Sequence, residues 1–179
     1  MREQKKPKGH LTEAASHAIF VQLLIALKAC HAKGILHRDI KPENIMIDYD
    51  GKIFLSDFGL AVQMGPTGFQ GRAGTPCYYP YEMVKGYKYD FRADCWCLGV
   101  LLMEMLFGVL PFKASTKTKD YSESISKLHY KIPDRNDVSD HAKSLIRQLL
   151  VPQDQRLHLV QIEQTPWFQR KFTNREKLQ

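Results

Sequence analysis

Cysteine is sparse in this chain. Cys30, Cys77, Cys95 and Cys97 form no C-x-x-C pair and show no metal-ligand spacing with histidine, so neither a disulfide framework nor a zinc site is signalled. A cytosolic or nuclear setting fits that usage. Long hydrophobic runs are also lacking. The longest, Cys95 to Phe107, is interrupted by Glu104 and is too short to span about 30 Å of hydrocarbon, so it reads as a buried core helix and no membrane is expected. The first thirty residues lack the order of a signal peptide, because the early lysines lead into a helix carrying Glu13, His17 and Gln22 rather than an apolar block. Negative charge is in the minority, with a net charge of +7, but each end carries four positive and one negative charge, which leaves +1 for the body. With no aromatic residue among the basic ones in the first tail, segments 1–10 and 169–179 read as solvated tails, and nucleic acid is not an expected partner.

What remains is a chain of 179 residues and 44% hydrophobic content, enough for one core. Leu11 to Lys33 reads as a helix, with Ala15, Ile19, Leu23, Ala26, Leu27 and Cys30 recurring at steps of three and four, Thr12 as cap and Gly34 as stop. Ile45-Met46-Ile47 and Lys52 to Ser56 read as two strands around a "DYDG" turn. From Gly59 to Tyr79 no period is sustained, and the glycines and prolines there mark a long loop of the kind that is usually functional or disordered. Phe91 to Phe107 is the apolar helix, Ser139 to Leu150 is amphipathic through Ala142, Leu145, Ile146, Leu149 and Leu150, and a short helix runs into "TPWF".

Between the first helix and the hairpin lies "LHRDIKPENIMID". It offers a carboxylate at Asp39, an ammonium at Lys41 and a carboxamide at Asn44 in a turn stiffened by Pro42, and a second carboxylate, Asp57, follows the hairpin beside Gly59. Carboxamide and carboxylate oxygens are hard donors suited to Mg²⁺, which takes few protein ligands and completes its shell with water and phosphate. One base, one cation and a metal pair describe phosphoryl transfer, where catalysis is mostly positioning and electrostatics.

"HRDIKPEN" (37–44), "DFG" (57–59), "GTPCYYPYE" (74–82), "DCWCLG" (94–99) and Arg156 resemble the protein kinases in sequence, order and spacing. The resemblance covers essentially the whole chain and corresponds to the large C-terminal lobe. "PYEM", "GVLPF" and "TPWF" look most like the Aurora type, with polo-like and calmodulin-dependent types next. It implies a mainly α fold, a helical bundle with a small β-hairpin carrying the catalytic loop, over residues 11–168. It implies a serine/threonine kinase using ATP and Mg²⁺ on protein substrates. Asp39 would accept the substrate hydroxyl proton, Lys41 would neutralise the transferring phosphate, and Asn44 and Asp57 would hold Mg²⁺. Met46 would floor the adenine pocket, and Glu43 would meet a basic residue upstream of the acceptor. Thr75 would touch both Asp39 and Lys41, and Leu60 after "DFG" leans toward serine. Four structural roles follow: His37 and Phe58 are core packing residues stacked in the regulatory spine, Asp94 caps amides of the catalytic loop, Glu82 pairs with Arg156, and Gly59 turns the backbone.

The sequence also departs from that pattern. Neither a glycine-rich phosphate loop nor the small lobe's lysine and glutamate finds a place. "GPTGFQG" (65–71) has the wrong spacing, and Lys28 of "IALK" lies inside a helix, where it is expected to be solvated. Each missing charge-assisted contact is worth about 1.5–3 kcal/mol, so three would move a nucleotide from about 1 μM to millimolar. Poor Mg-ATP binding and negligible turnover are therefore expected of the chain alone. The small lobe or a partner would have to cover the apolar surface near Met46 and Phe58, and a kinase-derived docking module without phosphotransfer is the competing expectation. Where the Aurora type carries its activating threonine the chain has Gly71, and Gly68-Phe69 replaces an arginine pair. Arg38 therefore lacks its phosphate partner, Thr67 is the one nearby hydroxyl, and regulation by phosphorylation of this loop is not expected.

Overall fold

The computed structural model describes residues 9–115 and 120–173, so most of both basic tails lies outside the described residues. The order is α1 (Glu13–Ala32), β1 (Ile35–Leu36), β2 (Ile45–Ile47), β3 (Ile53–Leu55), β4 (Val62–Gln63), α2 (Tyr81–Lys85), α3 (Arg92–Phe107), α4 (Ser122–Ser126), α5 (Asp140–Leu149) and α6 (Leu159–Ile162). Helix α3 is the axis. Apolar almost all round, it buries every residue from Ala93 to Phe107 except Glu104, as a helix enclosed by its neighbours must. Helices α1 and α5 pack on it. Gly99 makes the α5 contact close, because a Cβ there would come within 2.7 Å of the Leu149 Cβ.

Helix α1 begins where the cap was expected, with Thr12 Oγ1 accepting from the Ala15 amide at 3.2 Å, and stops at Gly34 in the left-handed region. Its buried face differs from the predicted one. Phe20, Leu23, Leu24 and Leu27 turn inward, while Ala15 is exposed and Ile19 and Ala26 are half-buried. Bulk decides the matter, since α3 and β3 are filled by the large residues and small alanines are tolerated on either side. Glu13 is buried and accepts from the Ser139 amide (2.7 Å) and hydroxyl (2.6 Å), the Trp167 indole (2.9 Å) and Arg170 (3.0 Å). Ser139 meanwhile caps α5 through the Ala142 amide.

Strands β2 and β3 pair antiparallel, with Ile45 opposite Leu55, Met46 opposite Phe54 and Ile47 opposite Ile53. The turn between them is closed by Asp48 Oδ1, which accepts from the amides of Asp50 and Lys52. The segment after Gly59 is less irregular than expected. Two of its residues form β4, antiparallel to β1, Phe69 bridges Tyr89, and Pro76–Tyr78 makes a 3₁₀ turn. Helices α2 and α4, of five residues each, are too short to leave a period in the sequence.

Candidate active site

Helix α1 and strand β1 deliver the chain to His37, and α3 holds it there. Asp94, fully buried in the first turn of α3, accepts from the Arg38 amide on Oδ1 at 2.9 Å and from the His37 amide on Oδ2 at 3.0 Å, and His31 Nε2 lies 2.8 Å from the same Oδ2. The double amide grip lets Arg38 hold a left-handed φ of 70°, strained for a side-chain-bearing residue. Gly74, also left-handed, lets the later segment come in against the Arg38 carbonyl, which a Cβ would approach to 2.3 Å. The ring of His37 satisfies both nitrogens, donating from Nε2 to the Ser56 carbonyl at 3.1 Å and accepting the Asp39 amide on Nδ1 at 3.3 Å. Phe58 lies edge-on to it, centroids 4.8 Å apart.

Asp39 is 4% exposed and fully engaged. Its Oδ1 accepts from the Thr75 hydroxyl at 2.7 Å, and its Oδ2 accepts from Asn44 Nδ2 at 3.0 Å and lies 2.7 Å from Lys41 Nζ. Lys41 also donates to Thr75 Oγ1 at 2.8 Å, so carboxylate, ammonium and hydroxyl form a closed triangle. Burial works to raise the Asp39 carboxyl, but the hydrogen bonds from Lys41 and Thr75, the Lys41 charge and the Asn44 amide outweigh it and leave the group below the usual carboxylate range. The hydrogen bond to Asp39 raises Lys41 against the cost of its own burial, with Asp39, Glu43 and Asp57 adding their charges. The structure therefore places an ionised base beside a protonated ammonium.

Asn44 Nδ2 donates to both the backbone carbonyl (2.8 Å) and the carboxylate of Asp39, so its side-chain amide is oriented and the side-chain Oδ1, as distinct from the Asn44 backbone carbonyl, is left for another partner. Asp57 is exposed with φ 59°, its Oδ1 accepting only the Gly59 amide at 3.2 Å. An oriented carboxamide oxygen and an exposed carboxylate are a hard donor pair, a set that fits Mg²⁺. Glu43 is exposed, Met46 is 61% exposed on the hairpin face it shares with its cross-strand partner Phe54, and Ile47 is exposed on the opposite face.

Farther off, Arg156 and Glu82 form a buried two-pronged pair at 2.6 and 2.8 Å, with the remaining guanidinium donors on the carbonyls of Val151 and Arg92. Lys28 departs from the expectation of a solvated residue: its Nζ lies 2.7 Å from both Glu163 oxygens, because α6 folds back alongside α1. Three participants have no motif of their own, namely His31 on Asp94, the Ser56 hydroxyl on the Asn44 carbonyl at 3.0 Å, and Glu104, which takes the buried Tyr78 hydroxyl. A histidine in the last helical turn before the loop and a lone acid in an apolar helix were the available signals.

Comparison with known proteins places the same residues in a family. The family described as "Protein kinase domain" matches residues 1–168. "CBL-interacting protein kinase 16" of Oryza sativa subsp. japonica is 39% identical over 174 residues, 94% of this chain and 38% of that protein. "Aurora kinase" of Patiria pectinifera is 37% identical over 173 residues, covering 96% and 42%. "Serine/threonine-protein kinase Aurora-2" of Arabidopsis thaliana is 38% identical over 170 residues, covering 93% and 58%. The first of these shares only 38% of its length with the chain, and the near-equal identities fit either an Aurora or a calmodulin-dependent type of kinase.

Proposed function

The chain belongs to the protein kinase family, and on that premise we propose that the protein transfers the γ-phosphate of ATP to a serine or threonine hydroxyl of a protein substrate. The observation that supports this reading best is the Asp39–Lys41–Thr75 triangle, which presents one ionised base and one cation to the same point. Asp39 accepts a hydrogen bond from the incoming hydroxyl, orients its lone pair and takes its proton as the phosphoryl group departs from the leaving oxygen. Lys41 meets the negative charge of the transferring group, and Thr75 fixes both partners so that neither must reorganise. Protein kinases generally use ATP and Mg²⁺. Asn44 and Asp57 are the residues that would hold the ion, which when bound neutralises phosphate charge. The exposure of Met46 on a hairpin that follows the catalytic loop directly supports its reading as the floor of an adenine pocket.

Glu43, exposed one residue before Asn44, supports a preference for a basic residue upstream of the acceptor, and Leu60 supports serine over threonine. The exposed Met46, Ile47 and Phe54 support a covering surface, from elsewhere in the protein or from a partner. The test is transfer of labelled phosphate to an arrayed peptide library by the full-length protein and its Asp39→Asn variant. Loss of a base typically costs 10²–10⁴-fold in rate, and a drop in that range is expected at a temperature where both forms remain folded by circular dichroism. No transfer by the wild type would overturn the enzyme reading in favour of the docking module, equal transfer by both forms would remove Asp39 as the base, and a library with no basic preference would remove the role of Glu43.

A further inference from the structure

Arg38 is fastened by its backbone to Asp94, but its side chain points elsewhere. Its Nε donates to the Leu60 carbonyl at 2.7 Å, and its guanidinium carbon lies 4.5 Å from the centroid of the Phe69 ring. Phe69 is in turn held by Tyr89. Their backbones exchange hydrogen bonds at 2.9 and 2.8 Å, and their rings lie 5.7 Å apart. Gly68 permits that approach, since a Cβ there would come within 2.9 Å of the Tyr89 carbonyl. Tyr89 is itself buried among Leu36, Met83 and Ala93, and its hydroxyl donates to the Gly71 carbonyl at 2.9 Å. Burial pushes the Tyr89 phenol up while the nearby Arg38 guanidinium pulls it down, which agrees with the two being close.

A closed circuit results, running from α3 through Asp94, the Arg38 backbone, the Arg38 guanidinium and Phe69 to Tyr89, just ahead of α3. Beyond its bond to the Leu60 carbonyl, the guanidinium is stabilised by an anion or by the negative face of an aromatic ring. Here the ring fills that place, and the exposed Thr67 is not required.

We propose that Phe69 is a positioning residue: its ring, pinned by Tyr89, docks Arg38 and thereby orders segment 65–72 against the catalytic loop without a phosphate on that segment. The inference rests on the phosphotransfer reading for its functional meaning, but its test does not. In protein labelled with ¹⁵N-arginine and treated with phosphatase, the Arg38 Nε–H signal is expected to be ring-current shifted and slow to exchange. Phe69→Leu should abolish the shift and speed tryptic cleavage at Arg72 about tenfold, whereas Phe69→Tyr, which keeps a π face, should restore both. Loss of packing alone would not be rescued selectively by an aromatic side chain. Should Phe69→Leu not fold, Tyr89→Phe serves instead. It keeps the ring contact, so the Arg38 signal should persist while cleavage at Arg72 rises. The proposal is overturned if Phe69→Leu matches the wild type at Arg38, if leucine and tyrosine behave alike, if Tyr89→Phe abolishes the Arg38 shift, or if phosphatase itself abolishes the slow exchange. Absence of phosphate transfer with the Arg38 signals as expected would sink the kinase reading and leave the latch standing.

Discussion

Residues 37–44 and residues 59–75 approach the same carboxylate, Asp39, by different physics. The first stretch is held from within: Asp94 takes two of its amides, His37 satisfies both ring nitrogens, and Asn44 bonds back to Asp39. The second reaches the site through a few side chains, chiefly Thr75 and the ring of Phe69, and otherwise runs along the surface. Charged groups removed from water dominate the loop, where each lost partner leaves a costly orphan. Single contacts dominate the segment, where each loss releases only local order. The catalytic loop should therefore behave as part of the core and the segment as an adjustable cover.

The contrast can be broken most forcefully at the far end of the segment, where Glu82 is held as firmly as anything in the loop. Arg156→Ala leaves the Glu82 carboxylate buried and unpaired, so a loss of about 3–5 kcal/mol is expected in urea unfolding. If only 76–85 lost hydrogen-exchange protection, that stretch would have to be grouped with the cover and not with the core. Asp94→Asn tests the loop itself. Replacing a carboxylate that serves two amides and His31 should cost about 1.5–3 kcal/mol and expose amides 37–39 to exchange ahead of 62–72. The reverse order would dissolve the comparison. Thr75→Val probes the junction and should cost about 1 kcal/mol.

The Thr75 effect carries a pH signature. The folded-state pKa of Asp39 is depressed, so its contribution is fully present above the ordinary carboxyl value of about 4 and disappears as pH falls through the lower folded value. Wild type and Thr75→Val should converge in stability below that point and differ by a constant amount from pH 5 to 8. With Asp39 depressed and Lys41 raised, neither group should place a limb in a rate profile between those pH values.

The sequence showed the catalytic loop almost completely, because its residues are close in the chain and each has one obvious chemistry. It showed the helices by period, with ends marked by Thr12, Gly34 and Ser139. It concealed what depends on distant partners. Nothing in the sequence marked Glu13 as buried or gave Lys28, expected to be solvated, a partner, since the residues that bury or pair them lie more than a hundred positions later. Strands β1 and β4 are two residues each, too short to alternate, and the inward face of α1 was set by the space left beside α3 and β3. Phe69 carried no signal except as a departure from an arginine.

The Glu13 cluster has a consequence for how the chain comes into being. Its four donors belong to Ser139, Trp167 and Arg170, so the acid at the start of the first described helix waits for partners 126 to 157 positions downstream. On the ribosome, where synthesis proceeds at about 5–20 residues per second, that carboxylate stays hydrated and its helix unanchored until nearly the whole described region has emerged. Closure of this region should therefore come late and all at once, with α1 open until Trp167 and Arg170 have emerged. A nascent chain whose Ser139 but not Trp167 has cleared the exit tunnel should still be sensitive to protease within α1, and clearance of Arg170 should protect it.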